Sequence, residues 1–212
     1  MAGLEFENEF YNKGCKYIAG VDEAGRGPLA GPLVVASCIL PMGYDNPLID
    51  DSKKLTEKKR EALFELIKEV AVDYYINIVD VETIDTKNIY QATKDAMKEC
   101  VERLKIKPDA VLTDAMPLSN MGVEVLDLVK GDAKSQSIAA ASILAKVTRD
   151  HIMYELDKKY PEYDFKSNKG YGTKKHIAAL NEYGFKEVHR KSYEPIKSMA
   201  NEQLQLNLED EF

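Results

Sequence analysis

Apolar and polar positions alternate with two different periods along this chain. Tyr17, Ile18 and Val21 suit a buried strand over about 16–22, and Leu33–Leu40 (LVVASCIL) reads as a second. Residues 72–79 are β-branched and aromatic and predict a third strand. Residues 109–114 (DAVLTD) and 123–129 (VEVLDLV) predict a fourth and a fifth. Thr56 before Glu57 opens a helix whose apolar face is Leu63, Leu66, Ile67 and Val70. Residues 81–105 predict a turn and a helix with a Met97, Val101, Leu104 stripe, closed before Pro108. Ser135 or Ser137 starts a long Ala-rich helix running to about Lys158. Beyond Pro161 an aromatic and glycine-bearing loop leads to helices near 174–182 and 193–200, and residues 1–15 form an irregular or helical lead-in. Strands first, then helices alternating with strands, predict an α/β layer with a mixed sheet of about five strands.

Composition narrows this. A hydrophobic content of 44% in 212 residues supports one cored domain, placed at 1–200 with a C-terminal helical part over 161–200. No apolar run approaches the ~18 residues of a membrane span, and no secretory pattern opens the chain, so a cytoplasmic protein is expected. Cys15, Cys38 and Cys100 are dispersed and odd in number, as reduced thiols are. The net charge of −7 argues at first against a polyanionic partner. Its distribution changes the picture. The net negative charge lies at the ends, from Glu5, Glu7 and Glu9 and from Glu202, Glu209, Asp210 and Glu211, and the body between them is neutral. Residues 166–200 carry eight Lys or Arg against Glu182, Glu187 and Glu194. A basic lobe beside an acidic site suits a polyanion held over metal-bound carboxylates. No large apolar patch is readable, so a monomer is expected.

The acidic site starts at Asp22-Glu23, where the first strand ends. In a regular strand these side chains point to opposite faces, so a shared site requires a bend at about Glu23. Gly25 and Gly27 permit a sharp turn, and Arg26 between them offers a guanidinium beside bare backbone N–H groups. Asp114 ends the fourth strand, and Asp132 lies in Lys130-Gly131-Asp132 between the fifth strand and the long helix. Ligands collect beyond strand ends in open α/β sheets, so these acids are candidates for one cluster. A helix dipole alone would also favour Asp132; Gly131 and the bracketing Lys130 and Lys134 argue for more. Asp150 lies about 18 residues along the same helix, roughly 27 Å away, and is assigned a structural role beside Arg149 or a neighbouring turn. An all-oxygen set selects Mg²⁺ or Mn²⁺. His151, His176 and His189 have no zinc spacing, and no nucleophile elbow is present. Two-metal phosphoryl hydrolysis is the chemistry that fits. A glycoside hydrolase would need metal-independent acids and sugar-stacking aromatics, and the chain has no Trp. A non-catalytic nucleic-acid module would leave the acids merely structural. A dinucleotide site fails on glycine spacing and on Pro28 and Pro32.

Seven ordered motifs carry a family resemblance. They are IAGVDEAGRGPL from Ile18, DSKKL from Asp51, NIYQAT from Asn88, Thr113-Asp114, KGD from Lys130, SIAAASILAKVTRD from Ser137 and KGYGT from Lys169. Together, over about 16–198, they resemble bacterial ribonuclease HII, the type 2 ribonuclease H. The resemblance implies a ribonuclease H-like fold: a five-stranded mixed sheet flanked by helices, with a C-terminal helical extension. It implies that Asp22, Glu23, Asp114 and Asp132 bind metal and catalyse. It implies endonucleolytic cutting of RNA in RNA–DNA hybrids and 5′ of single ribonucleotides in duplex DNA, leaving 3′-hydroxyl and 5′-phosphate ends. Gly25-Arg26-Gly27 resembles a reader of the 2′-hydroxyl, and Tyr171 would stack on the adjoining deoxyribose. Backbone groups can read that hydroxyl without reading sequence. Type 3 enzymes lack this Gly-Arg-Gly form. Lys53, Lys54, Lys146, Lys169 and Arg190 are phosphate-contact candidates by charge and position, and Ser142 shares a helix face with Lys146.

Residues 201–212 are short and acidic and read as a disordered end. Within them Gln203–Leu208 (QLQLNL) resembles the Q-x-x-L-x-L peptides that bacterial proteins insert into the replication sliding clamp.

Overall fold

The computed structural model describes residues 2–209. Two compact units divide the described residues: 2–24, 34–78 and 93–148 make the first, and 25–33, 79–92 and 149–209 make the second.

The first unit is built on a five-stranded sheet of order β3-β2-β1-β4-β5. The strands are β1 (Ile18–Ala24), β2 (Leu33–Ile39), β3 (Asp73–Val79), β4 (Ala110–Asp114) and β5 (Glu124–Leu128). β1 and β2 are antiparallel, with Asp22 opposite Ala36 and Glu23 opposite Val35. β1 and β4 are parallel, with Val21 opposite Thr113, so the next residues, Asp22 and Asp114, come level at the carboxyl ends of neighbouring strands. The sheet is mixed, as expected, and each strand lies within two residues of its expected bounds.

The long helix, α5 (Gln136–Lys159), follows a 3₁₀ turn at Gly131–Ala133. Its residues 138–145 are buried on all sides, as an all-round apolar helix requires. Gly20 of β1 lies directly against its first turn: a Cβ there would stand 2.0 Å from the Ser137 carbonyl carbon. The lead-in contains α1 (Glu5–Asn12), and it is tied down. Buried Glu7 accepts from the Ser135 hydroxyl at 2.6 Å and the Ser137 amide at 2.9 Å, capping α5 from a distant segment. α2 (Glu57–Val70) starts where expected, its Thr56 hydroxyl accepting from the Lys59 amide. Cys38 is fully enclosed, and burial pushes its thiol up to about 12.

The single helix expected in 81–105 is two, α3 (Val81–Lys87) and α4 (Ile89–Glu102). Asn88 breaks them at φ 66° and offers its side-chain oxygen to the Gln91 amide, restarting the helix. In the second unit, α6 (Phe165–Asn168), α7 (Lys174–Tyr183) and α8 (Ile196–Glu209) pack around Tyr163, Phe165, Leu180 and Ile196. α8 continues through 201–209, part of the stretch that composition reads as disordered, because Glu, Gln and Leu are good helix formers. The side chains of Leu204, Leu206 and Leu208, and residues 210–212, lie outside the described residues. No helix among the described residues is long and apolar enough to cross a membrane.

Candidate active site

Asp22, Asp114 and Asp132 each offer a carboxylate oxygen, all within 4.8 Å of one another. The β1/β4 register supplies the first two, and the 3₁₀ turn after β5 supplies the third. The turn forms because Lys130 takes the left-handed region at φ 58°. Gly131 is needed for another reason than the backbone freedom its sequence context suggests. A Cβ there would meet the Ile138 side chain at 2.6 Å and the Asp114 Cα at 3.4 Å. That close approach lets the Gly131 amide donate to Asp114 Oδ1 at 2.7 Å.

The cluster is electrostatically costly. Burial, then Glu23, then Asp114 raise the Asp22 pKa well above the ordinary carboxylate range. The Glu23 amide, 2.7 Å from Asp22 Oδ1, and the Ser142 hydroxyl oppose the rise. Burial and the Asp132 charge raise Asp114, against the Gly131 hydrogen bond. Burial alone would lower the Lys53 ammonium, but Asp132, Asp22 and Asp51 outweigh it and hold its pKa up. Lys53 Nζ stands 3.3 Å from Asp132 Oδ2. Three crowded carboxylates, all oxygen donors, fit a hard divalent cation, which offsets their repulsion better than one exposed ammonium can.

The structure brings together three of the four expected acids. Glu23 remains in the β1 ladder opposite Val35 and is outside the trio, although Asp22 feels its charge. The bend expected at about Glu23 comes at Gly25, at φ 101°. Asp150 is also outside the trio, and it lies close enough to Arg149 to support that guanidinium's charge. Ser142, expected to contact substrate, is buried; its hydroxyl contacts the Ser52 hydroxyl at 2.9 Å and supports Asp22. Lys54 stands 3.8 Å from Asp50 and 3.9 Å from Asp51. Lys146 is half-buried on α5.

Gly25, Arg26, Gly27, Lys169, Tyr171 and Arg190 belong to the second unit. Arg190 is not a phosphate contact. It is fully buried, and its guanidinium donates to the carbonyls of Gly25 (2.6 Å), Arg26 (2.9 Å) and Gly31 (3.0 Å). Arg149 does the same for Ala30 (3.1 Å), Pro32 (2.9 Å) and Lys169 (2.9 Å). A Cβ on Gly25 would strike Arg149 Nε at 2.1 Å, whereas one on Gly27 would rest 3.4 Å from the Tyr171 ring. Tyr171 is half exposed, and the Lys169 ammonium lies over the Tyr154 ring at 4.0 Å. Sequence reasoning missed both arginine braces: a cation in a loop looks the same whether it faces phosphate or carbonyls. Arg190→Met strips donors from three carbonyls and is expected to destabilise the protein by about 3 kcal/mol. Urea unfolding beside the wild type checks this, and an unchanged midpoint would rule out the brace.

The family model described as ribonuclease HII matches residues 19–196. The chain belongs to the ribonuclease HII family. Ribonuclease HII of Desulfitobacterium hafniense is 53% identical to it over 198 residues, covering 93% of this chain and 76% of the relative. The crystal structure of ribonuclease H2 from Pyrococcus horikoshii superposes with a TM-score of 0.76 at 29% identity, over 88% of this chain and 98% of that one. Ribonuclease HII of Archaeoglobus fulgidus, solved in complex with PCNA, gives 0.72 at 28% identity, over 84% and 95%. The fold is that of the ribonucleases H, and the chain is a ribonuclease H of a family in which metal dependence is typical. The family cleaves the RNA of RNA–DNA hybrids and ribonucleotides within DNA.

Proposed function

We propose that Asp22, Asp114 and Asp132, with Glu23 adjoining Asp22, hold two Mg²⁺ or Mn²⁺ ions during catalysis. The 4.8 Å grouping of the three aspartates carries this reading. Bound divalent ions supply an activated water and a counter-charge for the leaving oxygen. The chain's own part is to fix the carboxylates. Gly131 sets Asp114, Ser142 sets Asp22, and Lys53 offsets the charge of Asp132. Cutting falls 5′ of a single ribonucleotide and leaves 3′-hydroxyl and 5′-phosphate ends. Gly25-Arg26-Gly27 reads the 2′-hydroxyl, Tyr171 stacks on the neighbouring sugar, and Lys53, Lys54, Lys146 and Lys169 meet phosphates. Arg190, being buried, braces the reader instead.

The test is cleavage of a duplex with one ribonucleotide, beside an all-DNA duplex and one with a short ribonucleotide tract. Metal-dependent cutting 5′ of the lone ribonucleotide is expected, with none in EDTA. Cutting confined to the tract would remove the role given to Gly25-Arg26-Gly27 and Tyr171.

The second proposed partner is a replication sliding clamp, bound through Gln203–Leu208. The complex of the Archaeoglobus relative with PCNA supports it. Deleting 201–212 is expected to abolish clamp binding and leave short-duplex cleavage unchanged. Equal binding by the truncated chain would sink the idea.

A further inference from the structure

His176 and His189 are both fully enclosed in the second unit, packed against the stacked rings of Tyr163 and Phe165. Their Nε2 atoms face each other at 3.1 Å. The Lys186 amide donates to His189 Nδ1 at 2.9 Å. That bond makes His189 Nδ1 an acceptor, so the ring's proton is on Nε2. His189 Nε2–H therefore donates to His176 Nε2. His176 must then carry its own proton on Nδ1, which donates to the Tyr171 carbonyl at 2.9 Å. The chain of bonds runs one way only: Lys186 amide, His189, His176, Tyr171 carbonyl.

Any added proton breaks the chain. On His189 Nδ1 it would oppose the Lys186 N–H; on His176 Nε2 it would oppose the His189 N–H. The pair is also tied to the loop that follows Gly27 and to Tyr171. Ala30 and His189 form a β-bridge, and the flanking bonds are Gly31 amide to Val188 carbonyl and Arg190 amide to Leu29 carbonyl, each 2.8 Å. At the other end, the Tyr171 carbonyl accepts from His176 and from the Thr173 amide, at 2.8 Å. The pair, together with the bridged backbone of His189, thus links the Leu29–Gly31 backbone to the residue whose ring lies against Gly27.

We propose that His176 and His189 are positioning residues for the ribonucleotide reader: two uncharged imidazoles, hydrogen-bonded in one direction, fix the Tyr171 carbonyl and so set where the Tyr171 ring stands. This rests on the reading of Tyr171 as a substrate contact. The relay ends at the Tyr171 carbonyl, and the backbone of His189 is bridged to Leu29–Gly31, so the effect falls on recognition of the ribonucleotide and not on the hydrolytic step. Burial lowers both imidazoles, with the His176 neighbour lowering His189 further, to about 4. The charges around the pair are mixed: Lys186 and Glu187 lie beside His189, and Glu82, Asp85 and Lys191 line a groove with it.

Two measurements test this. In ¹⁵N-labelled wild-type protein, long-range imidazole spectra at about pH 5, where an ordinary histidine is charged, should show both rings neutral. The proton should be on Nε2 of His189 and Nδ1 of His176. A charged ring, or the opposite tautomers, overturns the proposal without any variant. In kinetics, His176→Leu should raise KM for the single-ribonucleotide duplex about tenfold, the loss of one directed hydrogen bond, while kcat changes less. His176→Asn, whose amide can replace the Nδ1 donor, should restore most of the loss. Tyr171→Ala separates the two readings. If it raises KM and His176→Leu does not, the relay alone fails. If Tyr171→Ala leaves KM unchanged, the substrate role of Tyr171 fails and the relay with it.

Discussion

Asp22→Asn is expected to abolish cleavage of both ribonucleotide substrates and, in the absence of metal, to raise the unfolding temperature. The two effects have one cause. Asp22 is 3% exposed and is pressed by burial, Glu23 and Asp114 toward its neutral form. In the proposed site its charge serves the cation, and without one it opposes the fold. The amide keeps the shape and removes the charge. Losing a carboxylate from a three-aspartate set should cost several kcal/mol of transition-state stabilisation, about a thousandfold or more in rate. Relieving the repulsion should add about 1 kcal/mol of stability, or roughly 2–4 °C for a chain of this size. The pH dependence has a defined sign. A carboxyl whose folded pKa is raised contributes stability below its unfolded value near 4, and that contribution is lost as pH rises through the folded value. The stability advantage of the Asp22→Asn variant over the wild type should therefore open from about pH 4 upward in EDTA. Saturating Mn²⁺ or Mg²⁺ should stabilise the wild type and shift the variant much less. Thermal unfolding of both proteins, with EDTA and with metal, reads all of this. Equal unfolding temperatures in EDTA and equal metal shifts would contradict the assignment.

The second large effect belongs to Gly20, which touches no substrate. Gly20→Ala places a Cβ 2.0 Å from the Ser137 carbonyl carbon, 2.2 Å from its oxygen and 2.3 Å from the Ile138 nitrogen. All three are backbone atoms at the capped start of α5, so no side chain can swing aside. β1 lies in the middle of the sheet and cannot retreat without breaking its ladders to β2 and β4. Overpacking of this kind exceeds the usual range and should cost more than about 4 kcal/mol, a large share of a domain's 5–15. Little folded protein should be recovered, and far-UV circular dichroism of that fraction should show early loss of structure on heating. Gly27→Ala is the control for the stability reading, because its Cβ would make an ordinary 3.4 Å contact. A Gly20→Ala protein as stable as wild type would mean that β1 and α5 do not meet this closely.

The strands were legible because β-branched runs flanked by turn residues leave few alternatives, and the strand-end rule then picked out Asp22 and Asp114. Asp132 was legible from its Gly-Asp turn. What stayed hidden is what depends on direction. Period-2 alternation announces that Asp22 and Glu23 face apart, but it does not say where the strand stops; β1 continues through Ala24, and Glu23 is outside the trio. Arg190 carries a charge that suits phosphate, yet its acceptors are carbonyls about 160 residues earlier in the chain, which no local pattern displays. Ser142 occupies the right helix face but is buried under Asp22. The His176–His189 pair has no signature at all. It is thirteen residues of separation made short by α7 and the turn after it, in a chain whose histidines fit no metal spacing.

The proposed 2′-hydroxyl reader has a consequence for how such a nuclease can diverge. Its working surface is main chain between Gly25 and Gly27, whose carbonyls Arg190 holds from beneath, while Arg149 holds the Ala30 and Pro32 carbonyls that follow. Side-chain pockets are retuned one substitution at a time, but a surface of amides and carbonyls has no side chain to exchange. Sugar preference is then tied to buried residues that never meet the nucleic acid, and nearly every change there damages folding before it alters selectivity. A descendant with a different preference would have to rebuild the whole loop, so intermediate specificities should be rare among its relatives.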